Sequence, residues 1–242
     1  MELVLSSPRG FCAGVVRAIE TVERVIKKYG APIYVKHEIV HNKYIVDSLA
    51  SKGAITVENL SDIPNGSVVV FSAHGSSPQD FALAKRNDLI VIDATCPLVT
   101  RVHNEAIKYH GEGKKIILIG HKNHAEVLGT MGQAPMELVD DTEDIDLERL
   151  SEDSSVVILT QTTLSVDDTA NTVQKIQDSF ADVLVRNDIC YATSNRQLAV
   201  KELAQVVDLV LVIGSDTSSN CNRLREVAEK ESGRPAYLIS DV

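Results

Sequence analysis

The 242-residue sequence has no tryptophan, and phenylalanine and tyrosine together make up only 4% of it. That leaves too few rings for the stacking platforms on which single-stranded nucleic acids lie. Clustered Lys and Arg are missing too. With 24 basic and 34 acidic residues the net charge is −10, spread along the chain, so no nucleic-acid partner is expected. No run approaches the roughly 18 consecutive apolar residues of a membrane span, so no membrane partner is expected either. No charged leader with an apolar core opens the chain, and a cytoplasmic protein is the expectation. Four cysteines cannot staple a scaffold of this size, which leaves reduced thiols for metal binding, catalysis or burial. No P-loop, dinucleotide fingerprint or nucleophile elbow occurs, and the Gly10-x-x-x-Gly14 spacing is too weak to count.

What is present is a chain that is 44% hydrophobic and alternates strand and helix patterns. Residues 2–7 read as a strand, followed by helical periodicity over 11–29 with Gly30 as its stop. Further strands are predicted at 32–35, 67–71 and 89–92, with helices over 41–52 and 79–86. The pattern then repeats. A helix headed by Pro97 runs to Gly111, strands follow at 115–119, 137–139 and 156–159, and a helix covers 166–180. The acidic run 140–152 is expected on the solvated surface, and 183–185 leads to Cys190. The last part predicts helices at 193–204 and 222–230 and strands at 208–213 and 236–239. The nearly all-apolar 208–213 reads as a strand covered on both faces. Such alternation argues for parallel α/β lobes with short crossovers.

Three cysteines, Cys12, Cys96 and Cys190, share one local setting: each follows an apolar run and precedes a helix. They lie 84 and 94 residues apart, about one small lobe each. Three lobes can thus deliver three thiols to one centre, and a helix N-terminus lowers a thiol's pKa and favours a thiolate ligand. Three thiolates without an obvious fourth suggest either a Cys3His zinc site or an iron–sulfur cluster with one open iron. Cys221 reads as a free packing thiol instead. Ligands of parallel sheets bind beyond the carboxyl ends of strands. The loops there carry His74, His124, Thr163, Ser218 and Asn220, residues suited to an anion beside helix N-termini. Glu126, two residues after His124, suits proton delivery in a reduction. His41 joins the candidates for phosphate, while His37, His103, His110 and His121 read as surface or core residues.

The motifs around these residues resemble one enzyme family. They are Ser7-Pro8-Arg9-Gly10-Phe11-Cys12-Ala13-Gly14-Val15, Glu38-Ile39-Val40-His41-Asn42, Ser72-Ala73-His74-Gly75 and Asp93-Ala94-Thr95-Cys96-Pro97. To these add His124-Ala125-Glu126-Val127, Thr160-Gln161-Thr162-Thr163-Leu164-Ser165, Asp188-Ile189-Cys190-Tyr191 and Ser218-Ser219-Asn220. In this order, over the whole chain, they resemble the 4-hydroxy-3-methylbut-2-enyl diphosphate reductase (LytB) family, which closes the non-mevalonate route to isoprenoid precursors.

The resemblance implies three similar small α/β lobes with largely parallel sheets around a central [4Fe–4S] cluster. The lobes would be 13–96, 97–190, and 191–242 together with 1–12. It implies Cys12, Cys96 and Cys190 as ligands of three irons, the fourth being open to the substrate's hydroxyl. His41, His74, His124, Ser218, Ser219 and Asn220 would grip the diphosphate. His124, Glu126 and Thr163 would be catalytic, with Glu126 delivering the proton. Two electrons from a reduced ferredoxin or flavodoxin, and two protons, would yield isopentenyl and dimethylallyl diphosphate plus water. A monomer or weak dimer is expected. Ala125 stands where many relatives have proline, and Cys221 where many have serine. Family members continue past the point matching Val242, so the resemblance also implies an incomplete third lobe and a less stable, less active protein. The residues taken without the resemblance leave two other readings. One is a zinc-dependent hydrolase or lyase acting on a phosphorylated small molecule, and the other is a non-catalytic truncated homologue.

Overall fold

The computed structural model describes residues 2–140 and 155–240. Its strands form three separate sheets, and every pairing in them is parallel. The first sheet contains β1 (Ile33–Lys36), β2 (Ala54–Val57), β3 (Val68–Phe71) and β4 (Ile90–Asp93), in the order β2-β1-β3-β4. The second contains β5 (Lys115–Ile119), β6 (Glu137–Val139), β7 (Val156–Thr160) and β8 (Val183–Val185), in the order β6-β5-β7-β8. These are the same topology. The third sheet pairs β9 (Val210–Ile213) with β10 (Ala236–Ile239), which matches the first half of that order. The internal repeat is therefore a repeat of strand order, and the fold is three α/β lobes.

The helices are α1 (Ala13–Tyr29), α2 (Lys43–Ser51), α3 (Pro78–Arg86), α4 (Pro97–Gly111), α5 (Ala125–Met131), α6 (Val166–Gln177), α7 (Tyr191–Val206) and α8 (Ser219–Ser232). Central strands β3 and β7 are buried along their whole length, as strands covered by helices on both faces should be. Local chemistry sets the helix ends. Ser77 and Asp80 form a reciprocal capping box at α3, and Pro97 occupies the first turn of α4, where its missing N–H costs nothing. Gly30 ends α1 with a φ of 80°, which a side chain would resist.

Three expectations change. Residues 2–7 form no strand, and Leu3, Val4 and Leu5 are exposed. In the first two sheets the strand before the cysteine, β4 or β8, pairs with the third strand of its sheet. The described third sheet has no strand in that position, so residues 2–7 have no ladder to join. β9 is buried on alternate residues only, with Leu211 and Ile213 open on one face, so it is not covered on both sides. β2 was not anticipated. Of the acidic run expected on the surface, 141–152 lies outside the described residues.

Candidate functional site

Each of the three cysteines is the N-cap of a long helix: Cys12 of α1, Cys96 of α4 and Cys190 of α7, all with extended backbone. An N-cap residue sits among backbone N–H groups that lack intrahelical partners. At Cys190 the sulfur accepts the Thr193 N–H at 3.3 Å and lies 3.0 Å from the Thr193 hydroxyl. Burial pushes the Cys96 thiol pKa up. The Leu98 and Val99 amides pull it down, while Cys12 and Cys190 push it further up. The three sulfurs are therefore electrostatic neighbours. Gly14 shows how tightly they meet: a Cβ there would lie 2.8 Å from the Cys96 sulfur and 3.8 Å from that of Cys12. Among the described residues, no group of three or more His, Cys, Asp or Glu is placed to hold a single metal ion. A donor set of three thiols suits a thiophilic metal centre.

Backbone hydrogen bonds join these caps to the polar loops. The Cys96 N–H donates to Ala73 O at 3.0 Å, next to His74, and the Cys190 N–H donates to Thr162 O at 3.0 Å. Side chains brace the same junction. Arg186 forks onto Glu105 of α4 at 2.7 and 3.0 Å, and Arg101 of α4 reaches the buried Asp188 at 2.9 Å. Two of the cysteine caps are thereby clamped together.

His41, His74 and His124 come from three different loops and meet. The rings of His41 and His74 stack at 4.1 Å, and His124 stands edge-on at 5.2 Å from the first and 5.7 Å from the second. His124 caps α5 and its Nδ1 accepts the Glu126 N–H at 3.2 Å, so in the neutral ring the proton lies on Nε2. Burial lowers the His124 pKa to about 3, with His41 and His121 adding to it. Burial, then His41 and His124, hold His74 well below the ordinary value as well. His41 Nε2 is buried without a partner. A buried polar nitrogen without a partner is costly. An anion would satisfy it.

Glu126 is buried beside this trio. Its carboxyl accepts the Thr162 N–H at 2.7 Å and the Thr162 hydroxyl at 3.0 Å. Burial pushes its pKa up to about 7 against those two bonds, and Asp188 adds to the rise. A carboxyl that titrates near neutrality exchanges a proton readily. The hydroxyl meeting Glu126 belongs to Thr162, whereas that of Thr163 accepts from Gln161 Nε2 at 2.9 Å. Ser219 of the third lobe reaches over: its hydroxyl donates to Thr163 O at 3.3 Å and lies 3.4 Å from Gln161 Nε2. Ser218 caps α8, and Asn220 Oδ1 is buried without a partner. Cys221 stands apart from the other thiols. It packs against the third core, where a Cβ on Gly214 would collide with its sulfur.

Thr162 and Gln161 were given no role from the sequence, although both lie in a motif that drew attention. Gln161 is fully buried and joins three segments, accepting the His121 N–H at 3.0 Å while donating to Thr163 and Ser219. A polar residue ending an apolar strand was the available signal. Nothing local says which neighbour it meets.

A family model described as LytB protein matches residues 3–242. The 4-hydroxy-3-methylbut-2-enyl diphosphate reductase 2 of Bradyrhizobium diazoefficiens is 54% identical over 245 aligned positions, covering 100% of this chain and 79% of that protein. A 4-hydroxy-3-methylbut-2-enyl diphosphate reductase of Streptomyces coelicolor is 51% identical, over 98% of this chain and 72% of its own length. Among solved structures, the E-1-hydroxy-2-methyl-but-2-enyl-4-diphosphate reductase from Plasmodium falciparum superposes with a TM-score of 0.92 at 45% identity, covering 96% of this chain and 74% of the other. A second, (E)-4-hydroxy-3-methyl-but-2-enyl diphosphate reductase, described as the terminal enzyme of the non-mevalonate pathway, superposes at 0.73 with 32% identity. It covers 98% of this chain and 85% of the other. With a family match from end to end, and half its residues shared with named relatives, the chain belongs to the LytB protein family.

Proposed function

We propose that this chain reduces 4-hydroxy-3-methylbut-2-enyl diphosphate to isopentenyl and dimethylallyl diphosphate, the activity named for its relatives. The observation that carries the reading is the adjacency of three parts. Three helix-capping thiols, a trio of packed imidazoles and a buried carboxyl titrating near pH 7 adjoin one another through Ala73 and Thr162. Cys12, Cys96 and Cys190 would hold a [4Fe–4S] cluster. Such a cluster, with three protein ligands, supplies electrons and a Lewis-acidic iron for the departing hydroxyl.

The chain's own residues do the rest. His41, His74 and His124 bind the diphosphate, and Ser218, Ser219 and Asn220 close on it from the third lobe. The orphaned His41 Nε2 and Asn220 Oδ1 support this assignment. The Asn220 oxygen accepts, so it would pair with a protonated phosphate oxygen or turn its amide toward the ligand. Glu126, held by Thr162, gives up the proton that leaves with the hydroxyl as water, and Thr163 lines the same pocket. Two electrons and two protons convert the C–OH of the substrate to C–H and release one water. Lobes 13–96, 97–190 and 191–242 with 1–12 form the three walls, in a cytoplasmic protein.

The test is anaerobic reconstitution. A brown protein with about four irons and four sulfides per chain, turning over the diphosphate with a low-potential reductant, is expected. A colourless protein holding one zinc, or a loaded protein without turnover, would sink the reading.

A further inference from the structure

Gln161 is 1% exposed and uncharged, and both polar atoms of its side chain are engaged within the protein. The His121 N–H, at 3.0 Å, fixes the amide's orientation, because a backbone N–H can only donate and must meet the oxygen. Nε2 therefore faces the hydroxyls of Thr163 at 2.9 Å and Ser219 at 3.4 Å, and both accept from it. Turning the amide over would set N–H against N–H. The residue is also wedged in place. Its backbone N–H donates to Ile119 O at 2.8 Å, and a Cβ on Gly120 would lie 3.2 Å from Gln161 Cβ and 3.3 Å from Oε1.

That orientation decides where two protons point. The Ser219 hydroxyl, accepting from Nε2, gives its own proton to Thr163 O at 3.3 Å. The Thr163 hydroxyl also accepts, and among the described residues nothing takes its proton in return. Its neighbour is used the other way: the Thr162 hydroxyl donates to Glu126 at 3.0 Å. Thr163 is only partly buried, so its proton is left for a ligand. Gln161 thus touches three walls of the proposed diphosphate pocket. They are the loop from His121 to the α5 cap His124, the loop after β7, and the first turn of α8.

We propose that Gln161 is a positioning residue for the reduction: it aims the Thr163 hydroxyl proton at the substrate's diphosphate and holds Ser219 and the His121 loop around it. The proposal rests on the reductase reading above. The side chain at this position must accept on one side and donate on the other. Glutamate has the same shape but does both only while protonated. Once ionised it accepts on both sides and draws the Thr163 proton away from the ligand.

The test is Gln161→Glu, titrated calorimetrically with inorganic diphosphate in the reconstituted protein. Burial raises a carboxyl's pKa, as at Glu126, where it is pushed up to about 7. The introduced carboxyl should therefore pass from neutral to ionised between about pH 6 and about pH 8.5. Relative to the unsubstituted protein at the same pH, affinity should lie within about twofold at about pH 6 and fall about tenfold lower at about pH 8.5. Gln161→Met, which cannot donate, should weaken binding by a similar factor at both. Thr163→Val leaves the amide in place; it should weaken binding about tenfold and, combined with Gln161→Glu, abolish most of the pH difference. A ratio of Gln161→Glu to unsubstituted affinity that does not change with pH, or unchanged binding in Thr163→Val, would overturn the positioning role and leave the reductase reading intact. An unsubstituted protein that bound no diphosphate would sink that reading and this proposal with it.

Discussion

The cysteine trio and the histidine trio are built alike and fail alike when empty. Each gathers three titratable side chains from segments far apart in the chain, and in each the members repel one another once charged. Cys12 and Cys190 push the Cys96 pKa up, and His41 and His124 push that of His74 down. Burial works in the same direction in both, against the ionised form. In the proposed function what differs is the guest that would relieve it: cationic metal for the thiols, an anion for the imidazoles. The lesson is that a cluster of like groups, held together at a cost, marks a place shaped for a partner of opposite charge. Glu126 and Thr162 sit where the two requirements adjoin.

The comparison is tested most severely at the sulfurs. Cys12→Ser, Cys96→Ser or Cys190→Ser should each abolish iron retention and turnover, whereas Cys221→Ser should keep both, as iron analysis and anaerobic assay will show. If Cys221 proved as essential as the others, the division of the four thiols would be wrong. Next in size is Glu126→Gln, for which a loss of about a hundredfold to ten-thousandfold in turnover is expected. Its effect on stability has the opposite sign. The folded pKa of about 7 lies above the ordinary 4.5, so the carboxyl's contribution is fully present below about pH 4.5 and is lost as pH rises through about 7. Glu126→Gln should therefore stabilise the empty protein at pH 8.5, by at most about 3 kcal/mol, and not at pH 4. Urea titrations at the two values check it.

The histidines come third. His124→Ala should weaken diphosphate binding by about tenfold to a hundredfold. Because burial keeps His124 and His74 neutral, binding a diphosphate should take up protons, and affinity should fall as pH rises from 6 to 8.5. Calorimetry in buffers of different ionisation enthalpy reads this directly. In the empty protein the folded pKa of His124, about 3, lies below the ordinary 6.5. Its contribution to stability is present above about pH 6.5 and is lost as pH falls toward 3. The smallest effect is expected at Gly14. Alanine favours a helix by about 1 kcal/mol over glycine, so Gly14→Ala should hold or raise the melting temperature of the empty protein. Its Cβ would crowd the Cys96 and Cys12 sulfurs, so iron content should drop. A variant that loaded iron normally would show that the sulfurs have room to spare.

Much of the fold was legible one element at a time. Strands such as 115–119, 137–139 and 236–239 agree with β5, β6 and β10 residue for residue, because an apolar run between turn residues is a local signal. The setting of each cysteine, after an apolar run and before a helix, was local in the same way. Whatever depended on a partner was not legible. Residues 2–7 have the composition of a strand but no ladder, and β9 reads as doubly covered yet keeps Leu211 and Ile213 in the open. Thr162 and Thr163 are chemically identical neighbours, and only the path of the chain past β7 decides which hydroxyl meets Glu126.

By itself, then, the sequence determined three α/β repeats, three cysteines at equivalent junctions, and a set of polar loops containing the histidines. Those depend on periodicity, turn chemistry and residue type, which are properties of short segments. The tertiary structure alone decided that Cys96 hangs from the loop of His74 and Cys190 from that of Thr162, that three imidazoles meet, and that Glu126 titrates near neutrality. A pKa or a shared pocket is set by desolvation and by neighbours brought in from distant parts of the chain, and those exist only once it has folded.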